Sequence, residues 1–212
     1  MSKIHLEILD KERQSVFHSL AVFKKNCYLA GETALALQLA HRESFDFDIF
    51  INNPVSATLK AQIKELFGDV AYYVDSKEQI SFRTQNNIHI TFLWYYFNTL
   101  FPLLQTDSLP LASFKDIAAD KAHTIGRRAA WRDYVDFYFL LHKPWVPLEE
   151  IIVIAKKKFK KEFNEVLFLQ QLVYFEDLER TPISYINASP DEKEIIQFPK
   201  KHVKAYAKNL IQ

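Results

Sequence analysis

The chain has 212 residues, of which 49% are hydrophobic and 25% are charged, and its formal net charge is +1. This composition indicates a folded globular protein and argues against one that binds polyanions over its whole surface. A single cysteine excludes an intrachain disulfide and a cysteine-built zinc site, and the three glycines form no glycine-rich nucleotide loop. No run reaches the roughly 20 apolar residues of a membrane span. The first residues lack an apolar signal core, so we expect a cytoplasmic protein with no membrane partner.

The first half of the chain alternates helical and strand-like patterns. Apolar spacing predicts helices over residues 10–25, 32–40 and 54–67, with Pro54 opening the third helix and Gly68 capping its end. Short apolar or alternating runs predict five strands, over residues 26–30, 44–51, 70–74, 79–83 and 88–94. Asn86 and Asn87 are typical of a hairpin turn between the last two strands. We therefore predict a small mixed sheet with packed helices, an α/β lobe that covers residues 1–105.

The second half of the chain is predicted to be helical. Helical spacing gives four segments: 114–125, 132–141, 148–161 and 163–173. Ser113 is a good cap for the first of them, Gly126 ends it, and Pro144 ends the second. We therefore expect an α+β protein in which a mainly helical lobe over residues 106–212 follows the sheet lobe and completes an active cleft.

The segment from Tyr28 to Phe50 has the pattern of a combined phosphate and metal site. A short apolar strand leads to Gly31, where a helix begins and its free N–H groups can bind phosphate. Asp46 and Asp48 follow in the next strand, two residues apart and therefore on one face. Two carboxylates this close repel each other, and Mg²⁺ or Mn²⁺ would make the pair favourable. Metal carboxylates beside a phosphate-binding turn are the working parts of a phosphoryl or nucleotidyl transferase.

These residues also have structural interpretations. Asp46 and Asp48 can form a solvated strand edge or be neutralised by Arg42, and Gly31 can be a plain turn with a positive φ. In the helical half, Lys121 can be a surface lysine with a packed stem. Further along, Asp133 and Asp136 share a helix face, which suits catalysis or the helix dipole equally.

A run of lysines near the end of the helix predicted over residues 148–161 is the densest cluster of charge in the chain. It indicates either a solvated helix face or a contact with an RNA backbone. Its members are Lys156, Lys157, Lys158, Lys160 and Lys161.

Three sequence blocks carry a more specific signal, and they occur in order along the chain. They are residues 29–50 (LAGETALAL to HRESFDFDIF), 111–123 (LASFKDIAADKAH) and 131–141 (WRDYVDFYFLL). Their conjunction resembles the nucleotidyl transferase AbiEii/AbiGii toxin family, within the DNA polymerase β-like nucleotidyltransferases. The resemblance implies a polymerase β-like fold and Mg²⁺-dependent transfer of a nucleotide from an NTP. Characterised members are toxins of toxin–antitoxin or phage-abortive systems, and some modify tRNA ends.

The resemblance also implies residue roles and partners. Metal binding falls to Asp46 and Asp48, with Asp133 as the third catalytic group. Nucleotide and phosphate binding falls to Gly31, Thr33, Lys121 and Arg132. The implied partners are an NTP, an RNA acceptor, with tRNA foremost, and a cognate antitoxin. A protein hydroxyl is the alternative acceptor.

Two positions depart from the family pattern. Glu32 follows the glycine where the family usually has Gly or Ser, so its charge must turn away from the phosphates or pair with Arg42 or Lys121. The strand over residues 88–94 offers Thr91 or His89 in place of a third strand carboxylate. Two alternative functions therefore stay open: a non-catalytic relative that binds a nucleotide or a partner, and a transferase that modifies a small molecule such as an antibiotic.

Overall fold

A five-stranded mixed sheet organises the first half of the chain. The computed structural model describes residues 4–128, 130–142, 145–187 and 189–209. The strands are β1 (Cys27–Ala30), β2 (Phe47–Ile51), β3 (Tyr72–Asp75), β4 (Gln79–Arg83) and β5 (His89–Trp94). Their order across the sheet is β1-β2-β5-β4-β3, with β2 and β5 parallel and all other neighbours antiparallel. The predicted mixed sheet is confirmed.

The alternation along β2 separates a buried side of the sheet from a polar side. Phe47, Ile49 and Ile51 are buried, whereas Asp48 is only half-buried. In the sheet register Asp48 lies opposite Ala30 of β1 and Thr91 of β5, and Thr91 lies opposite Ser81 of β4. Paired residues of neighbouring strands point to the same side. A polar row that includes Asp48 therefore crosses the sheet.

Three helices accompany the sheet: α1 (Lys11–Ser19), α2 (Gly31–Leu39) and α3 (Ala57–Phe67). The prediction that Pro54 opens α3 is wrong, because Ser56 caps this helix by accepting a hydrogen bond from the Leu59 N–H at 3.1 Å. Gly68 ends α3 with φ +77°, as predicted. The hairpin turn between β4 and β5 also forms, with Asn87 at φ +60°.

The second half of the described chain is helical. Its helices are α4 (Phe114–Ile125), α5 (Trp131–His142), α6 (Leu148–Phe159), α7 (Glu165–Leu172) and α8 (Glu192–Asn209). The first four match the predicted helices to within two residues at each end. Pro144, predicted to end α5, lies outside the described residues. The predicted α+β class is confirmed, and the chain divides into two compact units, unit 1 (Met1–Ser113) and unit 2 (Phe114–Gln212).

The helix α8 is an element that the sequence pattern did not predict. Pro199 lies inside it, and a proline within a helix removes a backbone donor, so local pattern argues against a helix here. Tertiary contacts hold it in place: Ile195 is buried, and the Tyr206 hydroxyl donates a hydrogen bond to Glu165 of α7 at 2.5 Å. None of the described helices is long and apolar enough to cross a membrane.

Candidate active site

Gly31 occupies a position that only glycine fits. It is the first residue of α2 and has φ +64°, a conformation that costs other residues about 1–2 kcal/mol. A Cβ added at this position would lie 2.6 Å from Oδ2 of Asp48, inside any normal contact distance. The Asp48 carboxylate is therefore packed directly against the start of α2. The glycine turn and Asp48, which the sequence predicts to belong to one combined site, meet at one place.

Asp46 is held by its backbone rather than by the sheet. The predicted strand began at residue 44, but β2 begins at Phe47, so Asp46 lies in the preceding loop and is exposed. The buried Thr33 hydroxyl donates to the Asp46 carbonyl oxygen and lies 2.7 Å from the Ser44 hydroxyl. The Thr33 side chain thus binds a backbone carbonyl that a neighbouring strand would otherwise bind, and β2 begins only after this point.

The predicted nucleotide-binding residue Thr33 therefore lies in the interior of unit 1, at 1% exposure. Its contacts make it a residue that positions Asp46. Ser44 belongs to the same arrangement, although sequence analysis did not single it out. A serine two residues before an aspartate is too common a pattern to have indicated this role.

Glu32 forms an ion pair with Arg42. Nη2 of Arg42 lies 3.0 Å from Oε2 of Glu32, and the Arg42 side chain is almost fully buried. Nη1 of Arg42 also donates to the Glu43 carbonyl oxygen at 3.0 Å. A carboxylate at the second position of α2 would repel phosphate, and this pairing offsets its charge. Of the partners that the sequence offered for Glu32, Arg42 is thus one that it binds.

The candidate ligands for a hard divalent ion are the carboxylates of Asp46 and Asp48, whose oxygens Mg²⁺ prefers. Only the Asp48 carboxylate is packed at the start of α2, whereas Asp46 is exposed in the loop before β2. Among the residues that the structure describes, no group of three or more His, Cys, Asp or Glu side chains gathers for a metal. Two carboxylates suit an ion that keeps several waters and takes further oxygen ligands from a substrate phosphate. The missing Cβ at Gly31 lets the Asp48 carboxylate reach the start of α2, because a Cβ there would collide with Oδ2 of Asp48.

In unit 2, Lys121 lies between two aspartates of the next helix. Its Nζ is 2.8 Å from Oδ1 of Asp133 and 2.6 Å from Oδ2 of Asp136, and all three side chains are buried. Arg132, which precedes Asp133 on α5, is exposed. The spacing of α4 and α5 therefore brings Lys121 and Asp133 together, and the phosphate-binding and catalytic roles assigned to them stay predictions.

The lysine run of α6 does not form one solvated face. Lys158 is buried, with Nζ 2.7 Å from Asp120 and 3.2 Å from Asp116 of α4, so its inclusion among RNA-contact residues is wrong. Lys156 is exposed and binds Glu165 of α7. The exposed remainder of the run is Lys157, Lys160 and Lys161.

Comparisons with known proteins agree with this architecture. A solved structure of MenT4, a nucleotidyltransferase toxin from Mycobacterium tuberculosis, matches with a TM-score of 0.62 at 13% identity, over 90% of this chain and 82% of that one. A crystal structure of a candidate nucleotidyltransferase from H. pylori matches with a TM-score of 0.58 at 18% identity, over 95% and 94% of the two chains. At these identities the matches show that the chain shares the fold of these two proteins.

Sequence similarity then gives the family. The family model for the nucleotidyl transferase AbiEii toxin of type IV toxin–antitoxin systems matches residues 15–209. The chain belongs to this family, and the protein is a nucleotidyltransferase. It is also 33% identical over 192 residues to the uncharacterized protein aq_aa25 of Aquifex aeolicus, with 86% of this chain and 88% of that protein covered. The resemblance recognised from three sequence blocks is thereby confirmed.

Proposed function

We propose that the protein is a toxin nucleotidyltransferase that uses Mg²⁺ to transfer a nucleoside monophosphate from an NTP to an RNA acceptor. The observation that carries the proposal is the approach of the Asp48 carboxylate to Gly31, within 2.6 Å of where a Cβ would stand. This contact places a carboxylate, which can bind a metal ion, beside the amino end of a helix, which can bind a phosphate.

The chain's own residues supply binding and positioning. Asp46 and Asp48 would hold the divalent ion, which when bound stabilises phosphate charge and lowers the pKa of an attacking hydroxyl. Thr33 fixes the Asp46 backbone through its hydroxyl. Arg42 neutralises Glu32, so the amino end of α2 keeps its attraction for phosphate. Asp133 as a general base and Lys121 as a phosphate ligand complete the proposal on family resemblance alone.

The acceptor is proposed to be RNA, with tRNA as the first candidate. The support is a group of exposed lysines at the end of α6, where Lys157 lies in the helix and Lys160 and Lys161 follow directly after it. Phosphate contacts from lysines give binding that weakens as salt is raised. Membership of a toxin–antitoxin family further supports a cognate antitoxin as a protein partner.

Transfer of label from each NTP to total cellular RNA tests the proposal, with Asp48→Asn as the variant. Loss of a metal ligand should reduce transfer about 100-fold or more. The matched control is Asp75→Asn, which removes a carboxylate from β3 of the same sheet, where Asp75 binds Lys60 at 2.7 Å on the surface. This control should transfer nucleotide at the wild-type rate, and both variants should have the melting temperature of the wild type.

Two results would overturn the proposal in different ways. Nucleotide binding without transfer to any acceptor would favour a non-catalytic relative, for which Thr91 beside Asp48 in the register is the supporting observation. Transfer to a small molecule but never to RNA would instead identify a small-molecule transferase. Undiminished transfer to RNA by Asp48→Asn would remove Asp48 from the catalytic site.

A further inference from the structure

A cavity of about 320 Å³ opens in unit 1 at the end of the sheet away from Asp48. Cys27 and Ile51, which pair with each other in the register, line it, whereas Asp48 pairs with Ala30 at the opposite end of the same two strands. Ile51 lies three residues beyond Asp48 on β2, which corresponds to roughly 10 Å along the strand. The cavity is thus a separate place from the candidate active site, and its volume is within the range of small-molecule sites.

The lining is rich in carboxamides. The polar residues that line the cavity, apart from the helix cap Ser56, are all exposed: Lys25, Asn26, Asn52, Asn53, Thr58 and Gln62. In the described part of the chain none of the four carboxamides is hydrogen-bonded to another protein group. A carboxamide presents a donor and an acceptor side by side, which matches the paired donors and acceptors on the edge of a nucleobase.

The charge of the lining favours an anion. Lys25 contributes an ammonium group, and no carboxylate lines the cavity, in a stretch of the chain (residues 22–62) that is described without a gap. A divalent metal or a cationic ligand would find no anionic partner here. A phosphate group would gain a charge-assisted hydrogen bond from Lys25.

The remaining wall is apolar. Phe23, Ile51 and Leu59 are buried side chains that line the cavity beside Cys27. An apolar wall with a few polar groups is the usual construction of a site for a flat aromatic ligand. Ring, hydrogen-bonding edge and phosphate are the three parts of a nucleotide, and each has a counterpart in this lining.

We propose that this cavity is a second nucleotide site, which binds one nucleoside monophosphate unit, either free or within an RNA strand. The proposal does not rest on transferase activity. An RNA strand that enters the candidate active site near Asp48 and continues over unit 1 for roughly 10 Å would place one of its nucleotides at this cavity.

Binding is measured on the full chain carrying Asp48→Asn, in EDTA, so that the metal-dependent site does not contribute. The probes are AMP, GMP, CMP and UMP, adenosine, inorganic phosphate and a single-stranded RNA hexanucleotide. The readout is the NMR signals of the side-chain amides, among which Asn52, Asn53 and Gln62 should shift on titration. Adenosine should bind about tenfold more weakly than AMP, because it lacks the phosphate that pairs with Lys25.

The decisive variant is Asn53→Asp, which keeps the side-chain shape and adds a negative charge to the lining. It should weaken nucleotide binding about tenfold. The matched control is Asn86→Asp, the same change at an exposed turn between β4 and β5, which should leave binding unchanged. Thermal melts of both variants exclude a loss of fold.

Tighter binding of the hexanucleotide than of any monophosphate would support an RNA subsite, and equal binding would support a site for free nucleotides. The proposal is overturned if none of the nucleotides shifts these amides, or if Asn53→Asp binds as well as Asn86→Asp. Equal affinity for inorganic phosphate and AMP would also overturn it, because the cavity would then recognise an anion and not a nucleotide.

Discussion

Replacing Gly31 by alanine tests whether the Asp48 carboxylate must sit against the start of α2. The new Cβ would lie 2.6 Å from Oδ2 of Asp48, and ordinary contact begins at 3.4 Å, so the carboxylate must retreat by about 0.8 Å (3.4 minus 2.6). A displacement of about 1 Å in a catalytic group costs about 100-fold in rate. The positive φ adds about 1–2 kcal/mol of backbone strain. We therefore expect Gly31→Ala to lose about 100-fold in transfer and about 1–2 kcal/mol in stability.

Gly68→Ala is the matched control for this change. Gly68 also has a positive φ, +77°, but a Cβ there would meet no atom within 4 Å. This variant should lose stability through backbone strain and keep its transferase activity. Nucleotide transfer and urea unfolding, measured on both variants, separate the two effects. Full activity in Gly31→Ala, or an equal loss of activity in Gly68→Ala, would refute the argument from contact with Asp48.

Two further predictions concern buried groups. Lys121→Met should destabilise the protein by about 3–5 kcal/mol in urea unfolding, because it leaves Asp133 and Asp136 buried without their cation. The control is Lys157→Met, an exposed change on α6, whose free energy of unfolding should stay within about 0.5 kcal/mol of the wild type. A loss as small as this in Lys121→Met would contradict the buried ion pairs. Burial raises the pKa of Cys27 from 9.0 to about 12, so above pH 9 the thiol ionises more readily in the unfolded chain and stability is lost as pH rises. The stability of the wild type relative to Cys27→Ala should fall by about 1.4 kcal/mol between pH 8 and pH 10, and a constant difference would show that the thiol is not buried.

Local patterns predicted the elements that carry the candidate site. Alternation identified β2, and alanine and leucine content identified α2, because both signals depend on residues two to four positions apart. The meeting of Gly31 and Asp48 could also be expected, since a strand, a helix and a returning strand bring the two ends together. The start of β2 could not be predicted, because it depends on the Thr33 hydroxyl binding the Asp46 carbonyl oxygen.

Charge was the least predictable property, because ion pairs join residues far apart in sequence. Lys158 belongs to a run of lysines that indicated a surface face, but its partners Asp116 and Asp120 lie on another helix. A lysine on the buried face of an amphipathic helix looks like its exposed neighbours in the sequence. Only the packing of α6 against α4 determines which lysine points inward.

The pairing of Glu32 with Arg42 changes how the departure from the family pattern is interpreted. A carboxylate without a counter-ion beside a phosphate-binding turn would repel phosphate and would therefore indicate an inactive site. Arg42 lies just beyond the end of α2, and its side chain returns to the start of the same helix, 3.0 Å from Glu32. The helix and the turn after it therefore contain both the unusual charge and its counter-ion. An exchange of Gly or Ser for Glu at this position is compatible with phosphate binding as long as the arginine is present.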